Sequence, residues 1–292
     1  MGGLLTQIKY QLIIQLKVKL QDSFTLVVAF VLAPLLGLLT ALIFHSNKDI
    51  VLNDSYSTFL FFMLVSAIFF GLVSSIFDIV KDLPIVKRQK LGNVSVFSYY
   101  ISKYFVLSLF GFVQVALYVL VSTYVLGGEF VDYLYNFVIM YLLLLNSVAL
   151  GLWISSFISS EFMAANLIPL IIVPQILLGG MIPYSTLDKS LFFGLDGAIP
   201  ILATIVPITY AYESSITGHI NFHNDDENIN DHIVELISYN EGDFLTLNQE
   251  DKFYCGGLYF CKKTWSYDIS VLFAYLFLLH LLGYFTLKRR LK

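Results

Sequence analysis

The sequence predicts an all-α integral membrane protein with six transmembrane helices. The chain of 292 residues is 58% hydrophobic and only 13% charged, whereas soluble domains usually contain about 25% charged residues. Long apolar runs recur along the chain, and a bilayer core requires about 20 such residues per helix. The connections between these runs carry most of the basic residues on one side. No basic nucleic-acid-binding surface is indicated, so no nucleic acid is expected as a partner.

The first element, residues 1–22, is expected to be an amphipathic helix that lies in the inner membrane interface and leads into the first span. Apolar residues recur there at helical spacing, and they are Leu5, Ile8, Leu12 and Leu16. Glutamine and lysine residues stand between them, as in interfacial helices. A short disordered leader is the alternative.

Residues 23–182 hold five predicted spans, and residues 268–292 hold the sixth span with a basic cytoplasmic tail. The apolar runs are 24–44, 59–80, 104–126, 133–158, 163–182 and 268–287. The middles of the first five contain no Asp, Glu, Lys or Arg, and the sixth contains only His280. A histidine at such depth is expected to hydrogen-bond a neighbouring helix rather than to act in function.

The distribution of Lys and Arg predicts the orientation of the chain. Most of the 17 basic residues lie on one side if both termini are cytoplasmic, and cytoplasmic loops are the ones enriched in Lys and Arg. The protein is therefore expected in a plasma or inner membrane with both termini inside.

The long connection between spans 5 and 6 divides into two parts. Residues 183–213 are half apolar but contain Gly and Pro, which predicts re-entrant or interfacial outer helices rather than a straight span. Residues 214–267 are polar and acidic and predict a small extracytoplasmic lobe. An oxidising compartment would favour a disulfide between Cys255 and Cys261 in this lobe, with two free thiols as the alternative. Neither usual structural-zinc spacing is present, so no metal site is predicted.

The chain lacks recognisable means of using energy by itself. No Gly is followed by Lys, so no phosphate-binding P-loop is present. No carboxylate lies in the middle of a predicted span, although ion-coupled carriers generally need one. No catalytic Ser/His/Asp or metal-hydrolase spacing appears, so the chain is not expected to be an enzyme. A partner must supply the energy if the chain transports a substrate uphill.

Three local motifs match a known family in order and spacing. After span 2, the matching residues are Asp82, Val86, Arg88, Gln89 and Gly92, followed by the Ser/Tyr-rich segment 98–103. The second motif is LLGGMI at 177–182, and the third is VPITYAYES at 206–214. Together with the order of the spans, they resemble the transmembrane permease domain of type-2 ABC exporters, in particular of the G subfamily. The resemblance covers essentially the whole chain.

This resemblance implies an ABC ATPase as a partner, either as a separate subunit or on the same polypeptide. ATP and Mg would bind to that ATPase, and no cofactor would bind to this chain. The basic turn after span 2, Lys81–Asn93, would receive the force from the ATPase. The candidate contacts are Asp82, Lys87, Arg88, Lys90 and, between spans 4 and 5, Glu161. Leu83 and Gln89 stand where the family has charged residues. Contact with anionic lipid headgroups is the alternative role for the basic residues.

The resemblance also implies a dimer with a second permease copy, identical or not, and a cavity between the two copies. Spans 2 and 5 would line it, and the candidate residues are Phe62, Phe69, Phe70, Ile172, Gln175 and Leu178. Met181 and Ile182 would form an outer gate by closing apolar surfaces. An apolar cavity predicts outward transport of a hydrophobic or amphipathic substrate by alternating access. Lipid contact or helix packing is the alternative for the aromatic residues, and a membrane scaffold, a receptor or a passive channel is the alternative for the chain.

Overall fold

The computed structural model describes residues 3–44, 55–127, 130–181, 202–222, 245–246, 254–255 and 265–291. The helices are α1 (Leu4–Gln21), α2 (Ser23–Phe44), α3 (Ser55–Ser75), α4 (Asp78–Leu91), α5 (Val96–Leu126), α6 (Phe130–Phe157), α7 (Glu161–Leu178), α8 (Pro207–Phe222) and α9 (Trp265–Arg290). A 3-10 turn, Ala203–Ile205, precedes α8. Two short strands, β1 (Leu245–Thr246) and β2 (Tyr254–Cys255), pair antiparallel. The described chain is therefore almost entirely helical, as predicted.

The predicted multi-pass membrane character is confirmed by the length and composition of the helices. Within the described residues, five stretches are long and apolar enough to cross a membrane, and they are Thr58–Leu91, Val96–Leu126, Tyr133–Phe157, Glu161–Leu178 and Ser266–Arg290. α2 contributes a shorter apolar stretch, Phe30–Phe44. The six-span topology counts α2 as a span and remains a prediction.

α6 lies at the centre of the bundle, with α3, α5, α8 and α9 packed against it. Close approach of α3 to α6 depends on Gly71, because a Cβ atom there would lie 2.7 Å from the carbonyl oxygen of Leu144. Small residues allow backbones of membrane helices to approach each other, where dispersion contacts between helices supply stability. α2 and α1 pack on α5 at the periphery.

α8 packs against α3, α6, α7 and α9, and every residue from 208 to 216 is buried. Two hydrogen bonds attach it to its neighbours inside the bundle: the Thr209 hydroxyl donates to the Leu178 carbonyl oxygen at 3.1 Å, and the Tyr135 hydroxyl donates to the Ser214 carbonyl oxygen. The helix continues to Phe222, through residues that the sequence assigned to the outer lobe. Of these residues, Ser214 and Ser215 are buried, so the polar residues at the beginning of the predicted lobe are not exposed.

α1 is a helix, as predicted. For the described residues of this segment, the alternative of a short disordered leader is therefore excluded. Its glutamine side chains face the protein, since Gln11 and Gln15 are buried, whereas Tyr10 and Val18 are exposed. The predicted apolar stripe is only half-buried at Leu12 and Leu16. The contact of α1 with the rest of the chain is therefore largely polar, and its position in the membrane interface remains a prediction.

Candidate functional site

α4 lies at one end of the bundle together with α1 and the last turn of α9, and we call this the basic end. The Lys90 ammonium donates to the Leu291 carbonyl oxygen at 2.5 Å, which joins α4 to the end of α9. The Gln11 amide of α1 donates to the Gln89 side-chain oxygen at 3.3 Å. The connection that the sequence presented as a polar turn is therefore a helix with contacts to several neighbours.

The beginning of α4 is held by a side chain from α6. Phe77 occupies the N-cap position but provides no side-chain hydrogen bond, so the first N–H groups of the helix lack a local acceptor. The Ser155 hydroxyl oxygen accepts from the N–H groups of Ile79 at 3.0 Å and Val80 at 3.1 Å. One serine on α6 therefore does what an N-cap residue normally does.

The end of α4 is set by Gly92 and Asn93. The Gly92 N–H donates to the Arg88 carbonyl oxygen at 3.2 Å, and Asn93 adopts a positive φ of 63°. Asparagine tolerates this left-handed conformation better than most residues, and the conformation ends a helix. The polypeptide then enters α5 at Val96.

α4 buries Ile79 and Val86 and exposes the opposite side, which we call the outer face of α4. Its exposed residues are Lys81, Pro84, Ile85, Lys87, Arg88 and Leu91. Ile85 is 53% exposed and Leu91 is 89% exposed. α4 thus presents two large apolar side chains surrounded by three basic ones.

Below this outer face, four charged side chains form what we call the interior charge network: Lys19, Asp78, Asp82 and Lys103. Lys103 is its centre, since its ammonium lies 2.7 Å from Asp82 Oδ2 and 3.5 Å from Asp78 Oδ2. The Lys19 ammonium lies 3.5 Å from Asp78 Oδ1. Lys103 is only 6% exposed, so these charges interact with little screening by solvent.

Two neutral groups complete the network. The Tyr99 hydroxyl donates to Asp82 Oδ2 at 3.1 Å, and the Lys103 ammonium donates to the side-chain oxygen of Gln15 at 3.1 Å. The network therefore joins α1, α4 and α5 within a buried polar cluster. Buried charges of this kind are tolerated only when they are paired and hydrogen-bonded.

The predicted contact residues do not share one environment. Lys87 and Arg88 lie on the outer face of α4, whereas Lys90 is bound to the α9 carbonyl and Asp82 belongs to the interior network. Glu161 begins α7, and its carboxylate lies 3.9 Å from the Lys81 ammonium with both side chains more than half exposed. Their contact with an ATPase remains a prediction.

The predicted cavity residues divide into two groups. Phe62 and Phe69 are exposed on the surface of α3, at 41% and 36%, and Ile172 is half-buried. The structure buries the other three within the single chain, and they are Phe70, Gln175 and Leu178. Only the first group faces outward from this chain, and a role in substrate binding remains a prediction for all six.

The remaining predicted residues are those of the outer gate and of the possible disulfide. Met181 packs half-buried against the core, and Ile182 lies outside the described residues. Cys255 belongs to β2, where it pairs with Leu245, and Cys261 lies outside the described residues. The outer gate and the disulfide remain predictions. Among the described residues, no group of three or more His, Cys, Asp or Glu side chains is placed to hold a metal ion.

Sequence reasoning missed the interior network and Ser155. The sequence places Asp78 at the end of span 2 and Lys103 at the end of the Ser/Tyr-rich segment 98–103, and it predicts no pairing between them. Asp78 and Asp82 are four residues apart, and this spacing puts two carboxylates on one face of a helix. This spacing predicts two neighbouring carboxylates only if residues 78–91 are helical, which the sequence analysis does not predict. No local signal pointed to Ser155, because it is distant in sequence from α4.

A comparison with protein-family models matches residues 6–218 to the ABC-2 type transporter. The matched region runs from α1 into α8 and contains both the outer face of α4 and the interior charge network. A comparison with curated proteins finds no match.

Proposed function

Because this chain belongs to the ABC-2 type transporter family, it is the membrane permease part of an ABC transporter, and we propose that it acts as an exporter of the G-subfamily type. ATP, with Mg, binds and is hydrolysed in the partner ABC ATPase and not in this chain. In the proposed topology α2 is a sixth span, both termini are cytoplasmic, and the membrane is a plasma or inner membrane.

The outer face of α4 is the proposed docking surface for the ATPase. Exposed large apolar residues such as Ile85 and Leu91, rimmed by polar ones, are typical of protein interaction sites. Lys87 and Arg88 lie beside them and would accelerate association with an acidic groove on the partner. α4 is attached to α6 through Ser155 and to α9 through Lys90. These attachments would transmit a displacement of α4 to the rest of the bundle.

A second surface supports a dimer with a cavity between two permease copies. On α7, which packs beside α3, the exposed residues include one helical stripe, Asn166, Leu170, Val173 and Leu177. Phe62 and Phe69 are exposed on α3. The Asn166 amide is polar, and exposure of such a group to hydrocarbon without a hydrogen-bond partner is costly. A protein interface or a water-accessible cavity is a better environment for it than lipid.

The proposed transport cycle uses these two surfaces. ATP-driven closure of two ATPases displaces α4, the helices around the α3/α7 surface move, and the cavity opens outward. The apolar and aromatic character of that surface favours a hydrophobic or amphipathic substrate.

A charge-reversal experiment tests the docking surface. Lys87→Glu with Arg88→Glu changes the charge on the outer face of α4 by four units, and Lys9→Glu with Lys17→Glu makes the same change on exposed lysines of α1 at the same end. The α4 variant should recover at least about tenfold less ABC ATPase on purification, because like charges across an interface cost several kcal/mol. The α1 variant should recover nearly the wild-type amount.

The control variant separates docking from membrane anchoring. If the basic residues act only on anionic lipid, both variants lose membrane insertion and ATPase recovery to the same degree. Equal recovery of the ATPase with the two variants therefore contradicts docking on α4.

A further inference from the structure

We propose that Lys103 is a positioning residue for coupling, which passes the displacement of α4 to α5 and α1 through the interior charge network. This role rests on the proposed function, since it needs an ATPase that displaces α4. It concerns an interior contact, distinct from the docking surface itself. The predicted role of Asp82 changes accordingly, from a contact with the ATPase to the acceptor inside the chain.

The geometry of Lys103 provides a mechanical connection between three helices. Its ammonium is held by Asp82 and Asp78 of α4 and by Gln15 of α1, at 2.7, 3.5 and 3.1 Å. The side chain is fully enclosed, at 6% exposure. A charge in such a site cannot leave its carboxylates without a large desolvation cost, so α5 must follow when α4 moves.

The position of Lys103 along α5 makes this connection effective over distance. α5 runs from Val96 to Leu126, so 126 − 103 = 23 residues, or about 35 Å, separate Lys103 from the far end of the helix. A displacement at Lys103 is thereby carried by one rigid helix to the opposite end of the bundle. The backbone itself connects α4 to α3 through a short turn at residues 76–77.

Stability alone is a weak explanation for these charges. Buried ion pairs are often no more stabilising than well-packed apolar residues of similar size, and their best-supported use is to fix one arrangement of helices against another. Removal of one partner leaves an unpaired buried charge, whereas removal of both partners does not. This difference separates a coupling role from a structural one.

The test uses the permease in complex with its co-purifying ABC ATPase in lipid nanodiscs. Cys255→Ser and Cys261→Ser remove the native thiols, and Tyr124→Cys carries a bimane fluorophore near the outer end of α5, where Tyr124 is 80% exposed. The readout is the change in bimane fluorescence when MgATP and vanadate are added. Recovery of the ATPase, ATP hydrolysis and melting temperature are measured on the same samples.

Lys103→Met with Asp82→Asn is the decisive variant, because it removes one positive and one negative charge and leaves Lys19 paired with Asp78. We expect a melting temperature within about 3 °C of the parent, bound ATPase and continued ATP hydrolysis, but loss of the fluorescence change. Lys103→Arg keeps the charge and should keep the change. A fluorescence change of parental size in the double variant overturns the role of Lys103.

If the double variant does not fold, Asp82→Asn alone serves as the test. Lys103 keeps Asp78 as its partner in this single variant, so no buried charge is left unpaired. Its fluorescence change should be reduced, and an unchanged signal also overturns the role. A parent complex that binds ATPase but shows no change at Tyr124 contradicts the movement of α5. Failure of the parent chain to bind any ABC ATPase refutes the proposed function instead, so the two failures are distinguishable.

Discussion

Removal of the Ser155 hydroxyl is expected to loosen the first turn of α4 without disturbing the rest of the bundle. Ser155 is fully buried, and its oxygen accepts from the N–H groups of Ile79 and Val80 at 3.0 and 3.1 Å. In Ser155→Ala both N–H groups lose their acceptor. Loss of a cap costs about 1 kcal/mol, and a buried donor left unsatisfied costs about 1–3 kcal/mol.

Because the two donors share a single oxygen, we take about 1–3 kcal/mol as the cost for the site as a whole. Local opening of the first turn of α4 should therefore become about 5–150-fold more frequent. Amide hydrogen exchange measured on peptides that cover residues 76–84 tests this, since exchange of these amides reports local opening.

Ser147→Ala is the matched control on the same helix. Ser147 is also buried, at 3% exposure, but its hydroxyl only donates to the Leu143 carbonyl oxygen within α6, at 2.9 Å. Its removal leaves no α4 group without a partner, so exchange in α4 should stay at the wild-type rate. Equal exchange in the two variants would refute the assignment of Ser155 as the N-cap of α4.

Three further outcomes follow from the packing and charges. Gly71→Ala should destabilise the protein by about 1–3 kcal/mol and lower its melting temperature, because the new Cβ would lie 2.7 Å from the α6 backbone. Gly3→Ala is the control and should have no effect, because a Cβ there would have no neighbour within 4 Å. Lys103→Met alone should cost about 3–5 kcal/mol in the same assay, and a loss below about 1 kcal/mol would contradict the pairing described here. Glu161→Gln should change stability by less than about 0.5 kcal/mol, since its pair with Lys81 is exposed and such pairs contribute little.

The membrane character and the approximate positions of the helices were predictable because apolar length is a strong and local signal. The run that the sequence placed at 104–126 lies within α5, and the run at 133–158 lies within α6 except for its last residue. The beginning of α5 at Val96 was less predictable. Its first two turns are rich in Ser and Tyr, and two of their hydroxyls bond to neighbouring helices. The Ser102 hydroxyl donates to the Ile8 carbonyl oxygen of α1 at 3.1 Å, and the Tyr99 hydroxyl donates to Asp82 of α4 at 3.1 Å.

The helical state of α4 and the burial of α8 were not predictable for a shared physical reason. Both segments are polar, and polarity predicts exposure unless distant residues supply partners. For α4 the distant partners are Ser155 and Lys103, and for α8 one is Tyr135, whose hydroxyl bonds the Ser214 carbonyl oxygen. Such partners become visible only when the helices are assembled.

The sequence alone also could not predict which candidate contact residues are exposed. Lys87 and Arg88 are exposed, as a contact role requires. The resemblance groups Asp82 with them, but its carboxylate accepts hydrogen bonds from Tyr99 and Lys103. Within one turn of a helix, some side chains face outward and others face the interior. When the segment is treated as a turn, these two faces cannot be told apart.

Site-specific photo-cross-linking detects contact between the outer face of α4 and an ABC ATPase. A photo-reactive amino acid at Ile85, 53% exposed on α4, is compared with the same residue at Leu42, 60% exposed on α2. In membranes supplied with MgATP, position 85 should form a covalent adduct that mass spectrometry identifies as an ABC ATPase, and position 42 should form none. Absence of that adduct at position 85, with the ATPase present and the permease folded, would contradict the account.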